Sequence, residues 1–409
     1  MRKKQWPEVK LGDYVDLLSG FAFKSKNFTD NPDDIPLVKG ANVHQGYIDW
    51  EGAVRWPKEE FESYDKFQLQ DNDVVLAMDR PWIEAGLKYS WIKKGDPKSL
   101  LVQRVSRLRG VNGLDTRYLR YVIGSPQFTG YIKPIVTGVN VPHISGAQIK
   151  DYKFLLPPER YQNNVADILE TYDNLIENNN RRIAILEEMA QSLYREWFVK
   201  FRFPGHENIK LIDSPLGMIP EGWEVKLLNE VSENFDRMRK PLSKMQREKR
   251  KGKFPYYGAA KIFDYIDDYI FDGQYLLMAE DGSVVTPNRN PVLQMAYGKF
   301  WANNHTHILR GAGLITTDHL YLALKTIDVM PYITGAAQPK ITQTNMNRIQ
   351  ILVPDELLIS KFNEYVGSVF IEIKTLIQKL GNLKKQRDLL IPKLISEAVL
   401  VESHEGEAA

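Results

Sequence analysis

Three residues late in the sequence have the types and order of a metal-dependent nuclease site. Asp355 follows a proline, and Glu372 and Lys374 come later with one residue between them, as in a PD-ExK signature. Two carboxylates and a lysine that converge can hold a divalent metal ion and support phosphodiester hydrolysis. Glu372 and Lys374 lie in a segment with helical periodicity, however, where they are about 200° apart around the axis. A stand-alone metal-dependent DNA nuclease is therefore the alternative interpretation and not the preferred one.

Two histidines alternate along a predicted strand in a way that could suit zinc. Side chains of His305 and His307 would point to the same face, as zinc ligands do, but no third or fourth ligand is evident. A DNA contact at His305 and packing or hydrogen bonding at His307 is the favoured interpretation. Asp79 and Asp281 follow two further predicted strands, and we expect each carboxylate to cap a turn.

Other catalytic and cofactor motifs are missing from the sequence. It contains no cysteine, which excludes disulfides, thiol nucleophiles and cysteine-ligated metals. It has no GxxxxGK[ST] phosphate loop, no FxGxG cofactor loop and no NPPY-type methyltransferase motif. We therefore expect no catalytic residue, no metal and no cofactor on this chain, and any chemistry has to come from partner proteins.

Basic and amide side chains are numerous at predicted loops and strand ends. The 54 Lys and Arg and 52 Asp and Glu leave a net charge of only +2, so local clusters carry any signal for nucleic acid. One cluster runs from Arg237 to Lys253, with nine basic residues and the single Glu248, and a shorter one comprises Arg104, Arg107 and Arg109. A solvated loop is the alternative for the longer cluster.

DNA reading uses Arg or Lys for guanine, Asn or Gln for adenine, and cations for phosphate. On that basis the candidate DNA contacts in the first half of the chain are Lys24, Lys26, Lys39, Asn42, His44, Arg80, Gln103, Arg104, Asn140 and His143. In the second half they are Arg237, Arg239, Lys240, Asn288, Arg289, Asn290, Asn304, His305, Lys340 and Gln343.

An internal repeat covers most of the chain. The segment from Val136 to Pro158 aligns without a gap to the segment from Ile333 to Asp355, with Thr-Gly, Pro, Ile and Pro matching in order. Inside the halves, 101–110 aligns to 302–311, and 77–79 aligns to 279–281. The matching segments recur in the same order while the sequence between them diverges, which predicts two related domains with different surfaces.

A long helix follows each half, recognised by apolar residues that alternate steps of three and four. Pro157 and Pro158 are predicted to start the first helix and Pro392 to end or kink the second in its last turn. Asn179 and Arg387 are polar seam positions that can set the register. The first seam is Leu169, Tyr172, Ile176, Asn179, Ile183, Leu186, Ala190, Leu193 and Trp197; the second is Val366, Val369, Ile373, Leu376, Leu380, Leu383, Arg387, Leu390 and Leu394.

The remaining segments read as short strands and short helices. Strands are expected at 35–43, 73–78, 101–109, 275–279 and 299–309, and helices at 116–124 and 318–325. The fold class is α/β, with two repeated α/β domains separated by two long helices that form an antiparallel coiled coil, related by a pseudo-two-fold axis. The predicted domains are 1–156, a helix in 157–199, 200–354, a second helix in 355–400, and a disordered tail in 401–409.

This arrangement suits a two-part DNA target. Each seam would be roughly 43 Å long at 1.5 Å per residue, close to the pitch of about 34–36 Å for one DNA turn. Two reading domains held apart by such helices would contact two half-sites. Because the two domains differ in sequence, the half-sites are expected to differ too.

The ordered motifs resemble the specificity (S) subunit of type I restriction-modification systems over nearly the whole chain. The segments similar to that family are Ser19 to Ser25, Ile35 to Gly40, Val139 to Ile149 leading into Leu155 to Pro158, and Gly298 to His305. The resemblance implies two target-recognition domains, helices that bind two methylation subunits, and two restriction subunits in the nuclease form. It also implies that those partners use S-adenosylmethionine, ATP and Mg²⁺.

The second half departs from the family motif at its start. Where the first half has Ser19 to Ser25, the second has Glu233 to Arg237 followed by the basic cluster, so its DNA contacts are less well indicated. No apolar run approaches 18 residues, and the basic start lacks an apolar segment after it. We therefore expect no membrane association and a cytoplasmic protein.

Overall fold

The computed structural model describes residues 6–83, 86–135, 142–335 and 338–396. They form two compact units: unit 1 holds residues 6–177 and 381–396, and unit 2 lies within 178–380. The predicted domain boundaries follow chain order, whereas each compact unit takes part of both long helices. The proposed tail 401–409 and the DNA candidate Asn140 lie outside the described residues.

Unit 1 is built on a four-stranded sheet with strand order β2-β10-β5-β8, together with the smaller sheets β4-β3-β9, β1-β11 and β6-β7. The four sheet strands lie side by side, and β5 is buried along its whole length because β10 and β8 flank it and the helix Thr116–Ile123 contacts it. The strands are β1 (Glu8–Lys10), β2 (Val15–Ser19), β3 (Ile35–Val38), β4 (Arg55–Trp56), β5 (Val74–Ala77), β6 (Trp82–Ile83), β7 (Gly86–Leu87), β8 (Tyr89–Trp91), β9 (Leu100–Leu101), β10 (Val105–Gly110) and β11 (Lys153–Leu155).

Unit 2 contains a six-stranded sheet with order β15-β20-β18-β19-β16-β17 and two strand pairs, β14-β21 and β12-β13. Its strands are β12 (Leu211–Ser214), β13 (Gly217–Pro220), β14 (Glu224–Leu227), β15 (Ser232–Asn234), β16 (Lys251–Tyr257), β17 (Ile262–Ile266), β18 (Phe271–Ala279), β19 (Leu293–Ala302), β20 (Thr306–Gly311) and β21 (Gln350–Val353).

The helices alternate with strands along the chain and are numbered in chain order. They are α1 (Thr116–Ile123), α2 (Pro126–Ile135), α3 (Gly146–Lys150), α4 (Glu159–Tyr194), α5 (Leu228–Val231), α6 (Lys244–Lys249), α7 (Thr317–Leu324), α8 (Gln343–Asn347) and α9 (Glu356–Ile395). The two predicted short helices are confirmed as α1 and α7. Among the described residues, no helix is both long and apolar enough to cross a membrane.

The predicted repeat is present in the topology. Strands β2-β10-β5-β8 of unit 1 correspond to β15-β20-β18-β19 of unit 2, and β1-β11 corresponds to β14-β21. A tight turn after β10 and after β20 requires glycine, since a Cβ on Gly110 or Gly311 would lie 1.9 or 2.1 Å from a backbone carbonyl oxygen. The helix that follows is capped by Asp115 in α1 and Thr316 in α7, each accepting backbone N–H bonds.

The two long helices run antiparallel within each unit. In unit 1, Tyr161 donates to the carbonyl of Leu394 (3.1 Å) and Asp173 accepts from Arg387 (2.8 Å), so residue numbers fall on α9 as they rise on α4. In unit 2, Arg182 donates to Glu372, and the rings of Trp197 and Phe362 lie 5.5 Å apart. The α/β fold class with an antiparallel pair of long helices is confirmed.

Three predicted strands are shorter than expected because polar turns interrupt them. The 35–43 strand ends at Val38, since the Asn42 side chain folds back and accepts a hydrogen bond from the Lys39 backbone. Strand 101–109 breaks before β10, where Arg104 has a φ of +65°. Strand 299–309 breaks between β19 and β20. Pro392 lies in the last turn of α9, which ends three residues later at Ile395.

Candidate nucleic-acid interface

A cleft of about 570 Å³ in unit 1 collects four of the predicted DNA contacts. Lys39, Arg80, Gln103 and Arg104 all line it, with Phe23 and Phe28 among the apolar lining residues. Arg80, Gln103 and Arg104 are exposed, and the Lys39 amine lies 5.8 Å from the centre of the Phe28 ring. Cations and an amide around an apolar floor are the groups that contact phosphates and base edges.

The segment from Ser19 to Ser25 shapes this cleft. Gly20 packs directly on the backbone, because a Cβ there would lie 2.3 Å from the carbonyl oxygen of Val102. That close approach lets Phe21 form a bridge with Val102 and directs Phe23 inward, where it is buried and 4.8 Å from the ring of Trp56. Phe23 and Ser25 of this motif therefore line the cleft together with polar side chains from other segments.

Asp79 holds two of the predicted contacts. Its carboxylate accepts hydrogen bonds from Arg104 (2.6 Å) and pairs with the His143 ring (2.7 Å). Partial burial works against its charge, but the hydrogen bonds from Arg104 and His143 prevail and lower the pKa of Asp79. The prediction that Asp79 caps a turn is therefore wrong, since the carboxylate binds side chains from two separate segments.

Lys88 was not indicated by the sequence but lies in the same cleft. Its amine donates a hydrogen bond to the carbonyl oxygen of Gly40. Burial, and then the positive charge of Arg80, lower the pKa of Lys88. Its place beside Gly40 depends on the pairing of distant segments, so no local signal marks it.

Several basic and polar candidates of unit 1 have structural roles instead. Asn42 is 3% exposed, and its amide bonds the carbonyls of Leu37 and Asp49, so its side chain is not free for DNA. Arg107 and Arg109 of the short basic cluster pair with Asp16 and Asp73. The prediction of a DNA contact at Asn42 is therefore corrected, and two of the three arginines of the short basic cluster are bound within the protein. Among the other described candidates, His44 stacks on Tyr47, and Lys24 and Lys26 are exposed.

Unit 2 repeats the aspartate arrangement with different side chains. Asp281, equivalent to Asp79, pairs with His305 at 2.7 Å and not with an arginine. Lys340 pairs with the neighbouring Glu280 at 3.0 Å. His305 lies in the turn before β20, whereas His307 lies within it. The two histidines therefore do not share one face of a strand, as had been expected. The expectation that Asp281 caps a turn is also wrong, because its carboxylate pairs with the His305 side chain.

His307 is fully buried in an ionic cluster. Its ring bonds Asp236 (2.6 Å) and the carbonyl of Ile341, as expected for a packed histidine. Asp236, Glu280 and His307 are close enough to surround a cation, but Arg239 already fills that place, donating to Glu280 at 2.7 Å. Burial tends to raise the pKa of the Asp236 and Glu280 carboxyls. Hydrogen bonds from His307 to Asp236 and from Arg239 to Glu280 prevail, so the pKa of both carboxyls is lowered. Arg239 is thus a structural cation and not a DNA contact, which corrects the prediction.

The basic segment from Arg237 to Lys253 is folded and not a solvated loop. It contains α6 and leads into β16, and acidic residues on and just after β17 neutralise part of it. Arg250 pairs with Asp267 (2.9 Å) and Lys251 with Asp264 (2.6 Å). The basic residues that are exposed and form no ion pair or ring contact among the described residues are Arg237, Lys240, Lys244 and Lys249.

Some of the remaining candidate DNA contacts of unit 2 have partners within the protein, and others are only exposed. Asn290 donates to the carbonyl of Ile327, and Gln343 bonds Asn234, so both have protein partners. Arg289 forms an exposed pair with Asp328. Asn288 and Asn304 are exposed.

The PD-ExK residues do not form a site. Asp355 caps the start of α9 by accepting the N–H of Leu358. Glu372 lies on the same helix, roughly 25 Å further along at 1.5 Å per residue, and pairs with Arg182. Lys374 is exposed. The residues therefore cannot converge on one metal ion, and the nuclease interpretation has no geometric basis.

The seam positions of both long helices are buried or half-buried throughout. Ile176, Asn179 and Ala190 on α4 and Val366, Ile373 and Leu376 on α9 are among the most buried. Arg387, the polar position on α9, is bound to Asp173. The helices thus present a continuous inner face in each unit.

Comparisons with known proteins are consistent with one family. A family model described as the type I restriction modification DNA specificity domain matches residues 3–188 and 220–384. The specificity subunit of the type I restriction enzyme MjaIX of Methanocaldococcus jannaschii is 24% identical over 308 residues, covering 71% of each chain. That of EcoAI of Escherichia coli is 32% identical over 188 residues, covering 46% of this chain and 31% of that protein.

A crystal structure of the S subunit of a type I restriction-modification system from M. genitalium shares the fold. The TM-score is 0.56 at 15% identity, and the match covers 97% of each chain.

Proposed function

This chain belongs to the family of type I restriction-modification DNA specificity proteins, and we propose that each of its two units reads one half of an asymmetric bipartite site in double-stranded DNA. The chain is the DNA-recognition subunit of such a system and not its catalyst. The observation that carries the proposal is the repeated frame around Asp79 and Asp281, which holds different side chains in the two units.

The difference between the units supports an asymmetric target. At equivalent positions unit 1 presents Arg104 and His143, and unit 2 presents His305 and Lys340. Arginine suits guanine, whereas a neutral histidine nitrogen suits an amino group of adenine or cytosine. Two identical half-sites would not satisfy both sets of donors and acceptors.

The two long helices are proposed to set the distance between the half-sites and to dock the partner subunits. We propose two methylation subunits, and two restriction subunits in the form that cleaves DNA. S-adenosylmethionine, ATP and Mg²⁺ would be bound by those partners, and this chain would work with them on cytoplasmic DNA. Support comes from α4 and α9, which each contribute to both compact units.

Exchange of one reading domain tests the proposal. Residues 12–151 begin just after β1 and end just before β11, and Leu11 donates to the carbonyl of Tyr152 at their boundary (2.8 Å). Replacing them with the equivalent segment of another family member should change one half of the methylated site and leave the other half and the gap intact.

The matched control is the exchange of residues 229–348, since Leu228 donates to Ile349 at the same place in unit 2 (2.8 Å). It should change only the other half-site. Methylation mapping of strains that carry each exchange with the methylation partner gives the result. An exchange that altered both half-sites would contradict separate reading.

A further inference from the structure

Two aspartates occupy equivalent places at the ends of β5 and β18, and each holds an exposed basic side chain. Asp79 is 22% exposed and holds Arg104, whose side chain is 64% exposed. Asp281 is 19% exposed and holds His305, which is 48% exposed. In both units the carboxylate is the more buried partner, and the basic group faces outward.

The backbone around the two aspartates is the same. The N–H of Met78 donates to the carbonyl of Arg104 (2.8 Å), and the N–H of Glu280 donates to that of His305 (2.9 Å). Asp79 forms a bridge with His143, and Asp281 forms one with Lys340. Main-chain hydrogen bonds therefore hold the turn that carries Arg104 or His305, independently of the side-chain ion pairs.

Stability does not account for the ion pairs. An ion pair whose basic partner is largely in contact with water contributes little to stability, and the main-chain bonds already define the turn. The carboxylate orients the basic side chain, because it binds one nitrogen of Arg104 or His305 and leaves the other nitrogens facing outward. The carboxylates themselves are not free to read bases: both oxygens of Asp79 are occupied, and Nδ1 of His305 lies within 2.9 Å of both oxygens of Asp281.

The side chains so held present opposite hydrogen-bonding character. Arg104 uses one guanidinium nitrogen on Asp79, and within the described part of the chain its remaining nitrogens have no partner and are donors. His305 faces the Asp281 carboxylate with Nδ1, and this contact selects the neutral tautomer that has its proton on Nδ1 and presents Nε2 as an acceptor. Donors match the O6 and N7 acceptors of guanine, and an acceptor matches the amino group of adenine or cytosine.

We propose that Asp79 and Asp281 are positioning residues for base readout, and that they hold Arg104 to read guanine in one half-site and His305 to read the amino group of adenine or cytosine in the other. This inference rests on the proposed function, since it assigns two specific contacts within DNA reading by the two units.

The test is methylation by the complete complex on a library of sites with randomised half-site bases. Asp79→Asn and Arg104→Gln should lose discrimination at one and the same base pair of the first half-site, by roughly 5- to 150-fold. Asp281→Asn and His305→Gln should do so at one base pair of the second half-site. Asparagine can donate to Nδ1 and so impose the wrong tautomer on the histidine.

Asp151→Asn is the matched control, because it removes a carboxylate from another exposed ion pair of unit 1, with Lys10 at 3.3 Å. It should leave every base preference unchanged. The expected base at the Arg104 position is guanine, and the expected base at the His305 position is adenine or cytosine.

Three results would overturn the inference. The first is unchanged discrimination in Arg104→Gln and His305→Gln, which alter exposed side chains and are expected to fold. The second is an equal loss at all base pairs in the aspartate variants, which would mark a structural role. The third is a guanine read through His305. A wild-type complex with no bipartite preference would instead refute the proposed function itself.

Discussion

The guanidinium of Arg387 on α9 donates a hydrogen bond of 2.8 Å to the carboxylate of Asp173 on α4. The pair is well shielded from solvent, with side chains 27% and 12% exposed. Asp173 also accepts from the Tyr121 hydroxyl (2.8 Å), which in turn accepts from Arg120. Burial opposes the charge of Arg387, but the hydrogen bond to Asp173 prevails and raises the pKa of Arg387. The predicted polar seam position thus has a defined partner.

Replacing Arg387 with leucine should destabilise the protein by about 3–5 kcal/mol, because it removes the cationic partner of a carboxylate that is largely shielded from solvent. The double change Arg387→Leu with Asp173→Leu should recover much of that loss. Urea unfolding of both variants measures the free energies. Arg182→Leu is the control: it breaks the more exposed pair with Glu372 in unit 2 and should cost no more than about 1 kcal/mol. Equal costs in the two variants would show that burial of the pair is unimportant.

Asp318 should make stability depend on pH. Burial raises the pKa of Asp318 to about 6, and a hydrogen bond from Gln274 only partly offsets that effect. Between its unfolded pKa near 4 and its folded pKa near 6, the folded state holds the proton more tightly, so stability falls as pH rises through this window.

Asp318→Asn should therefore stabilise the protein at pH 7.5 by on the order of 2 kcal/mol, and by much less at pH 4. Thermal unfolding at the two pH values measures this difference. Asp272→Asn, which removes an exposed carboxylate on the same strand as Gln274, is the matched control. If Asp318→Asn changed the stability by the same amount at both pH values, the raised pKa of Asp318 would be contradicted.

The exposed cations of the basic segment should contact phosphates. Replacing Arg237, Lys240, Lys244 and Lys249 with alanine should weaken binding to all DNA sequences alike. Each phosphate left without its cation should reduce the slope of log K against log salt by roughly 0.9. Titrations at several salt concentrations measure that slope. Arg250→Ala is the contrasting variant, since Arg250 pairs with Asp267 and should affect stability more than the slope. An unchanged slope in the fourfold variant would mean that the segment does not contact DNA.

Longer helices should lengthen the unread gap. Inserting four residues into α4 after Glu177 and into α9 after Leu380, where each helix leaves one unit, adds about 6 Å. At about 3.4 Å per base pair, the gap should grow by one or two base pairs with both half-sites unchanged, as methylation mapping would show. A single insertion is the control and should abolish activity, because the helices would lose their register. A fully active double variant with an unchanged gap would mean that the helices do not set the spacing.

The sequence by itself determined the repeat, the two long helices and their seams, and the positions of α1 and α7. These features follow from local periodicity and from glycine and capping residues, such as Gly110 and Asp115, whose effects act over a few residues. The family motifs could also be recognised in the sequence, because their order along the chain is preserved. Four predicted contacts around the unit 1 cleft, among them Arg80 and Arg104, came from residue type and from position at predicted loops and strand ends.

Only the tertiary structure decided which polar residues are free. Arg104 and Arg107 are three residues apart and look alike in sequence, yet Arg104 faces the cleft while Arg107 is buried against Asp16. His305 and His307 differ in the same way, since the turn before β20 exposes one and the sheet buries the other. The physical reason is that an ion pair or a buried hydrogen bond depends on distances between segments far apart in the chain, and no local pattern specifies those distances.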